Sequence, residues 1–359
     1  MVFFRYLDKD GRPRHQFAKV LNAAVLCNTM DRKRSPSQPE AVWKEKDMIS
    51  GRTADAMVII LRTNGCSWAK KGGCTMCGYA SASGDGITAD DLMRQLDHVL
   101  TKYNSEPFVK IYTSGSFLDE NEIPKEVRNA VFNAFKDAER ILFESRPEYV
   151  TEDVLRTLPK NITIALGLES SDNEILLTSI RKGFTPEDSR TAGLMIKGAG
   201  LKVRTYLLLK PLYMTEREAT DDAVSSVIFA DEFSDEISIN PVNVQRYTFT
   251  ERLWKKGEYR PPWIWSLIEV LRKSSGNVKA RLMSSPSGGG TQRGVHNCGE
   301  CDKDALNAVE RFSFSQNIKD LDIDCTCKSR WIAVTSSETL LGTASDVMKV
   351  ADNDLAIGK

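Results

Sequence analysis

The sequence predicts an α/β fold in which six parallel β-strands form a partial (β/α)6 barrel, with an N-terminal helical appendage and a small C-terminal four-cysteine metal-binding module. Three observations support this prediction. Apolar runs alternate with helix-like segments at roughly 30-residue intervals, which is typical of βα units in a parallel sheet. A loop with three cysteines follows the first apolar run. Four further cysteines follow a glycine-rich stretch nearer the C-terminus.

The individual elements can be assigned in chain order. Thr88 and Thr151 are each followed by acidic residues, as expected where a helix begins. The predicted strands are 57–61, 107–113, 139–144, 161–168, 202–209 and 235–239. The predicted helices between them are 88–103, 122–136, 151–158, 186–199 and 215–231.

Three domains are expected along the 359 residues, a length that suits an α/β barrel with appendages. Residues 1–50 form the N-terminal appendage, with a short helix near 39–47. Residues 51–280 form the barrel. Residues 281–359 form the cysteine-bearing module, which begins with a glycine-rich linker or loop around 288–290.

The composition is that of a soluble globular protein, with 41% hydrophobic and 27% charged residues. No apolar run is long enough to span a membrane, and the N-terminus lacks a signal-peptide core, so a cytoplasmic location without a membrane partner is expected. In a reducing cytoplasm, eight cysteines suggest metal ligands before disulfides. Only Cys27 stands outside the two groups, and we interpret it as a small buried hydrophobic residue.

Charge gives no global argument for a nucleic-acid partner, because the formal net charge is zero. Segments 1–34 and 246–281 are nonetheless basic, and 210–240 is acidic. The second basic segment also contains aromatic residues, a combination that can track phosphates and stack on unpaired bases. The alternative is an ordinary core seam with charged flanks, because Trp263 and Trp265 fall in a predicted helix, 262–274.

The loop after the first strand contains Cys66, Cys74 and Cys77 in a C-x7-C-x2-C spacing. Structural zinc needs four ligands, so three thiolates are one short. A [4Fe–4S] cluster held by three thiolates keeps one iron open, and that iron can bind the amino and carboxylate groups of S-adenosylmethionine. A zinc site with three cysteines and one histidine is conceivable, but no histidine lies near the loop.

Polar residues follow the other predicted strands, at the edge where α/β barrels place their active sites. Ser114, Gly115 and Ser116 follow the second strand as a Ser-Gly-Ser turn. Glu144 and Glu169 end the third and fourth strands, where carboxylates could bind ribose hydroxyls or an ammonium group. Arg181 lies just downstream and could pair with a carboxylate.

The C-terminal group consists of Cys298 and Cys301 in a C-x2-C motif and Cys325 and Cys327 in a C-x-C motif. Four thiolates can close a tetrahedral zinc site and so organise a module with a limited core. An auxiliary iron–sulfur cluster is the alternative, because the same ligands suit both. Zinc is the favoured prediction, with His296 beside the site but not binding the metal.

The three-cysteine loop and the strand ends together resemble the radical S-adenosylmethionine enzymes. Their usual loop is C-x3-C-x2-C, and the first gap here is seven residues. The resemblance implies that Cys66, Cys74 and Cys77 ligate a [4Fe–4S] cluster. It also implies that Met76 lies beside the adenine of S-adenosylmethionine and that the Ser114–Ser116 turn contacts the methionine ammonium.

Two stretches, 144–149 and 167–170, resemble the Elongator catalytic-subunit branch, with Arg181-Lys182-Gly183 downstream. By that resemblance Glu144, Glu169 and Arg181 bind the ribose or methionine part of the cofactor. The whole chain is similar to the radical-SAM subunits of archaeosine synthases. The residues that carry this similarity are Asn64-Gly65-Cys66-Ser67-Trp68, Tyr112-Thr113-Ser114-Gly115-Ser116-Phe117 and the His296-to-Cys301 motif.

That resemblance implies action on tRNA at position 15, together with an archaeosine synthase alpha subunit and an electron donor such as a ferredoxin or flavodoxin. The lysine adduct of 7-cyano-7-deazaguanine would be converted to archaeosine by radical C–N bond cleavage. The alternatives are another radical tRNA-modifying enzyme, such as a methylthiotransferase or an Elongator-like enzyme, and a non-catalytic metal-containing RNA-binding protein. A binding protein has no need of the strand-end carboxylates and arginine.

Overall fold

The computed structural model describes residues 35–341, and these residues contain one eight-stranded sheet with its strands in chain order. Strand β1 pairs antiparallel with β2, and every later neighbour is parallel. The strands are β1 Ala41–Ile49, β2 Arg52–Ile60, β3 Phe108–Tyr112, β4 Arg140–Ser145, β5 Ile162–Glu169, β6 Lys202–Leu209, β7 Glu236–Pro241 and β8 Arg281–Met283. The predicted α/β partial barrel is confirmed, and β2 to β7 correspond to its six predicted strands.

Helices connect the parallel strands and continue into the cysteine-bearing module. Thr88, Thr185 and Thr215 each begin a helix with a capping box, in which a carboxylate three residues later accepts a hydrogen bond from the threonine amide. The helices are α1 Ala89–Leu100, α2 Lys125–Ala134, α3 Glu152–Arg156, α4 Asn173–Ile175, α5 Pro186–Gly198, α6 Glu216–Asp231, α7 Phe249–Lys255, α8 Ile264–Ser274, α9 Asp302–Ser315 and α10 Lys328–Leu341.

The predicted short helix near 39–47 is wrong, because this segment is strand β1. Ser50 and Gly51 both have positive φ angles, 50° and 81°, and they make a two-residue hairpin turn to β2. A hairpin of this type matches the twist of its strands, so β1 is added to the sheet edge. The rest of the predicted N-terminal appendage, 1–34, and Cys27 within it lie outside the described residues.

The two faces of the sheet carry different side chains. Outward-facing residues such as Met57, Ile59 and Ile111 pack with the surrounding helices into the main core. The inward face has a smaller apolar cluster around the fully buried Phe108. The lumen is therefore filled at its middle, which leaves the carboxyl ends of the strands as the accessible edge.

The amino-terminal end of the barrel is closed by charged side chains, which we call the N-terminal plug: Asp47, Lys110, Arg140, Arg204, Glu236 and Arg281. Arg140 donates two hydrogen bonds to Glu236, at 2.9 and 2.6 Å. Asp47 contacts Lys110 at 2.5 Å and Arg204 at 3.2 Å. Burial alone would raise the pKa of Asp47, but Arg204 and Lys110 lower it to about 2. The plug is thus a buried ion network that joins six strands, in which Arg281 Nε is the atom left without a hydrogen-bond partner among the described residues.

Among residues 35–341, no helix combines the length and apolar character that a membrane crossing requires.

Candidate active site at the carboxyl ends of the strands

The cysteine loop leaves β2 and is held in place by a segment beyond β5. The guanidinium of Arg181 donates hydrogen bonds to the carbonyls of Lys71, at 3.3 Å, and Gly73, at 3.2 Å. In return, the Trp68 indole donates to the Arg181 carbonyl at 2.9 Å. Gly72 has a φ of 113°, and a Cβ there would lie 2.1 Å from the Arg181 guanidinium. Arg181 therefore acts on the backbone of the loop.

A second anchor lies between the later cysteines. The Thr75 amide donates to the Ile180 carbonyl at 3.0 Å, and its hydroxyl donates to the Ser179 carbonyl at 2.6 Å. The Gly78 amide donates to the Gln245 side chain at 2.6 Å. The loop is thus bonded to segments that follow β5 and β7, and strands from both halves of the sheet fix its position.

The thiols of the loop lie in a buried and partly cationic setting. Burial is the main cause that raises the pKa of Cys74, while Lys182 and Arg146 oppose the rise. Burial likewise raises the pKa of Cys77 to about 12, and neighbouring Cys74 adds to the rise. Thiolates at these positions need compensating positive charge. A donor set of three thiols with two cations beside it fits a metal cluster of limited net charge.

Gly115 lies directly against the first cysteine. A Cβ at Gly115 would lie 2.7 Å from Cys66 Cα and 2.6 Å from Glu122 Oε2, so only glycine fits without a shift. The neighbouring Ser116 is buried, and its amide donates to Glu122 at 2.6 Å. Ser114 is more open, and its hydroxyl donates to the Tyr79 carbonyl at 3.3 Å. The Ser-Gly-Ser turn thus packs against the cysteine loop.

Two carboxylates and a lysine lie at the ends of β4 and β5. Glu169 has a φ of 70° and forms a 2.7 Å ion pair with Lys182. Glu144 faces the same space, where burial, and then the charge of Glu169, raises its pKa to about 8. For Lys182, burial lowers the pKa, but Glu169 and Cys74 more than offset this and raise it. The site therefore contains one carboxylate in an ion pair, Glu169, and a second, Glu144, whose pKa is raised.

The predicted residues of this site do not all have the same surroundings. Glu144 and Glu169 lie near enough to each other for the charge of Glu169 to raise the pKa of Glu144, and Glu169 acts in the same way on Cys74 in the loop. Met76 is partly buried against the main core. Arg181 reaches the loop backbone, and its role towards a cofactor remains a prediction.

Sequence reasoning assigned no role to two residues that the structure brings to the site. Arg146 lies over the rings of Trp68, at 5.3 Å, and Phe184, at 4.9 Å. Lys182 pairs with Glu169 as described. Arg146 lies in the stretch 144–149 and Lys182 lies in Arg181-Lys182-Gly183, two stretches that resemble the Elongator catalytic-subunit branch. This resemblance is the signal in the sequence that could have identified both residues.

The second cysteine group forms a compact cage. Cys298 lies 3.8 Å from Cys301 and 3.9 Å from Cys325, and Cys301 lies 3.6 Å from Cys327, measured between sulfur atoms. All four sulfurs lie within 4.8 Å of one another. Zinc–sulfur bonds of 2.3 Å give a tetrahedron with edges of about 3.8 Å. The predicted four-cysteine metal-binding group is confirmed, and its spacing fits a single tetrahedral ion.

Other residues support this cage. The Trp265 indole donates to the Cys327 sulfur at 3.3 Å, and the Asn297 amide group donates to the Cys301 sulfur at 3.4 Å. Such donors orient thiolates and reduce their charge. His296 instead uses its Nδ1 on the Gly294 carbonyl, at 2.8 Å, so its ring contacts a backbone group next to the cage.

Comparison with known proteins gives long matches. The chain matches no known family model. It is 41% identical to the archaeosine synthase subunit beta of Methanosarcina acetivorans over 89% of this chain and 96% of that protein. It is 36% identical to the archaeosine synthase subunit beta of Thermococcus kodakarensis over 80% of this chain and 94% of that protein. Among solved structures, Methanocaldococcus infernus Elp3 with an N-terminal deletion matches with a TM-score of 0.40 and 18% identity, over 55% of this chain and 51% of that one.

Proposed function

Because the chain belongs to the family of archaeosine synthase beta subunits, we propose that it is a radical S-adenosylmethionine enzyme that modifies tRNA. In this proposal it converts the lysine adduct of 7-cyano-7-deazaguanine at position 15 to archaeosine by C–N bond cleavage. It works with the alpha subunit and a reductant of the ferredoxin or flavodoxin type, in the cytoplasm.

The observation that carries the proposal is the three-cysteine loop, whose cysteines lie half-buried near Glu144, Glu169 and Lys182 at the carboxyl edge of the sheet. We propose that Cys66, Cys74 and Cys77 hold a [4Fe–4S] cluster. When bound, the cluster and S-adenosylmethionine supply a 5′-deoxyadenosyl radical that abstracts a hydrogen atom from the lysine carbon bonded to nitrogen.

The chain's own residues would bind S-adenosylmethionine and orient it beside the cluster. Glu169, which is paired with Lys182, suits the ribose hydroxyls or the methionine ammonium. Gly115 lets its backbone pack directly against Cys66, so that the Ser114–Ser116 turn lies beside the proposed cluster, where it would contact the methionine ammonium. Arg181 and Trp68 fix the backbone of the loop that contains the three cysteines. Met76 would lie beside the adenine.

We propose zinc for the C-terminal cage. A [4Fe–4S] cube attaches each thiolate to a different iron and needs wider sulfur separations than one tetrahedral ion. The separations of 3.6 to 3.9 Å favour the single ion.

The test is anaerobic reconstitution with iron and sulfide, followed by reaction with the alpha subunit, a chemical reductant and tRNA that carries the lysine adduct. We expect 5′-deoxyadenosine and archaeosine in matching amounts. Formation of 5′-deoxyadenosine with unchanged tRNA would reject the substrate and keep the radical chemistry. Absence of an iron–sulfur absorption band would reject both.

A further inference from the structure

Some side chains of the basic and aromatic segment 246–265 are buried, and others are exposed. Tyr247 is the exposed aromatic residue of the segment, at 37%. The other rings are buried or half-buried: Phe249, Trp254, Tyr259, Trp263 and Trp265. Most of the segment is therefore core, as the alternative interpretation of the sequence held.

The basic side chains divide in the same way. Arg260 lies over the Trp263 ring at 4.3 Å, and Arg252 lies over the Phe249 ring at 5.8 Å. Arg246, Lys255 and Lys256 are exposed. Glu251 is buried, accepts a 2.7 Å hydrogen bond from Arg293 and lies 3.5 Å from Lys255, while Glu258 is exposed. The four cations Arg246, Lys255, Lys256 and Arg293 therefore outnumber the two acids.

The exposed part adjoins the cysteine loop. The hydrogen bond from Gly78 to Gln245 and the 3.3 Å bond from the Thr250 amide to the Thr75 carbonyl join the two segments. The loop itself exposes Lys70, Lys71 and, at 54%, Tyr79. Together these residues form what we call the mouth rim: Lys70, Lys71, Tyr79, Arg246, Tyr247, Lys255 and Lys256.

We infer that the mouth rim is the surface on which this chain receives RNA, an inference that rests on the proposed function. Five cationic side chains suit the phosphates of an RNA strand. Two exposed tyrosine rings suit an unstacked base, because every base has a face on which an aromatic ring can stack. The cysteines beside the rim are half-buried, and enzymes that act on a base take it out of its stack.

The first test measures binding of the full-length chain to an unmodified tRNA transcript by fluorescence anisotropy over a range of salt. In the triple variant Arg246→Ala, Lys255→Ala, Lys256→Ala we expect affinity to fall at least about tenfold and the log–log salt slope to shrink by roughly 2. The matched control is Lys136→Ala, Lys197→Ala, Lys202→Ala, which removes the same charge from exposed positions near the plugged end. Equal losses in the two triple variants would overturn the inference.

The second test separates stacking from charge. Tyr247→Ala should weaken tRNA binding about tenfold, whereas Tyr247→Phe keeps the ring and should bind like the wild type. Circular dichroism confirms that the variants fold. If the wild type modifies tRNA while both rim variants bind normally, the surface is wrong and the proposed function stands. If the wild type neither binds nor modifies tRNA, the proposed function fails.

Discussion

In the C-terminal cage the sulfurs of four cysteines lie within 4.8 Å of one another, whereas the three cysteines at the barrel mouth belong to a loop fixed through its backbone. The cage receives hydrogen bonds on its sulfurs, from Trp265 and Asn297. The mouth loop is held mainly by hydrogen bonds on its carbonyls and amides, and the Tyr79 backbone adds one to the Cys77 sulfur. The difference is what the proposal requires of a closed structural site and an open chemical one.

The largest expected effect is at the open site. Cys74→Ala removes one of the three proposed cluster ligands, so we expect loss of the iron–sulfur absorption and of all 5′-deoxyadenosine formation, with the C-terminal metal retained. Iron and zinc contents and product yield measure this. Cys27→Ala is the control, because Cys27 belongs to neither group. Wild-type iron content in Cys74→Ala would contradict the assignment.

Next in size is the loss of the cage. Cys327→Ala removes a buried sulfur that bonds Trp265, and we expect loss of the zinc and a fall in the melting temperature of about 5 °C or more. The iron content and the 5′-deoxyadenosine yield per iron should stay near wild type. If iron is lost in place of zinc, the module holds a cluster and the contrast between the two sites disappears.

A smaller effect is expected at Arg181, which holds the cysteine loop through hydrogen bonds to two backbone carbonyls. Arg181→Ala removes two hydrogen bonds to loop carbonyls, so we expect the KM for S-adenosylmethionine to rise about tenfold while iron still binds. Arg181→Lys keeps the positive charge but not the planar guanidinium group. Its KM for S-adenosylmethionine should therefore lie between those of the wild type and Arg181→Ala. Arg190→Ala, on the exposed face of α5, is the control. Loss of iron in Arg181→Ala would show that the clamp is needed for assembly.

The smallest effect concerns pH. In the folded chain the pKa of Glu144 is raised from 4.5 to about 8, so the folded state holds a proton that the unfolded state releases. The stability linked to this proton is fully present below the unfolded pKa and is lost as pH rises towards 8. Glu144→Gln should therefore gain melting temperature over the metal-free wild type as pH rises from about 5 to about 8. Glu152→Gln, at an exposed position, is the matched control, and a difference for Glu144→Gln that stays constant with pH would reject the shift.

How far the sequence predicts this molecule differs between its parts. The six inner strands were predictable because buried parallel strands are continuous apolar runs, such as 57–61 and 202–209. Strand β1 was missed because Lys44, Glu45 and Lys46 break its apolar pattern, although Ser50-Gly51 marked the hairpin. Strand β8 has only three residues, Arg281–Met283, and gives no periodic signal.

The C-terminal cage and the site at the barrel mouth also differ in how much of each can be predicted from the sequence. Spacing alone identified Cys298, Cys301, Cys325 and Cys327 as one set, because the ligands of a single ion lie close in short motifs. The clamp by Arg181 and the pairing of Lys182 with Glu169 depend on how the chain turns after β5, where Glu169 and Arg181 have positive φ angles. Such turns are set by tertiary contacts, so local residue preferences do not report them.

The N-terminal plug has a consequence for biosynthesis. Asp47 on β1 meets Arg281 on β8 at 3.6 Å, although the two residues are roughly 230 positions apart in the chain. While the ribosome is still making the middle of the chain, Asp47 and Glu236 lack some of their cationic partners. The growing polypeptide can pair its strands one after another, but the ring of charges is completed only after β8 has emerged. We therefore expect nascent chains that stop before residue 281 to remain protease-sensitive, and chaperones to contact this end of the barrel late in synthesis.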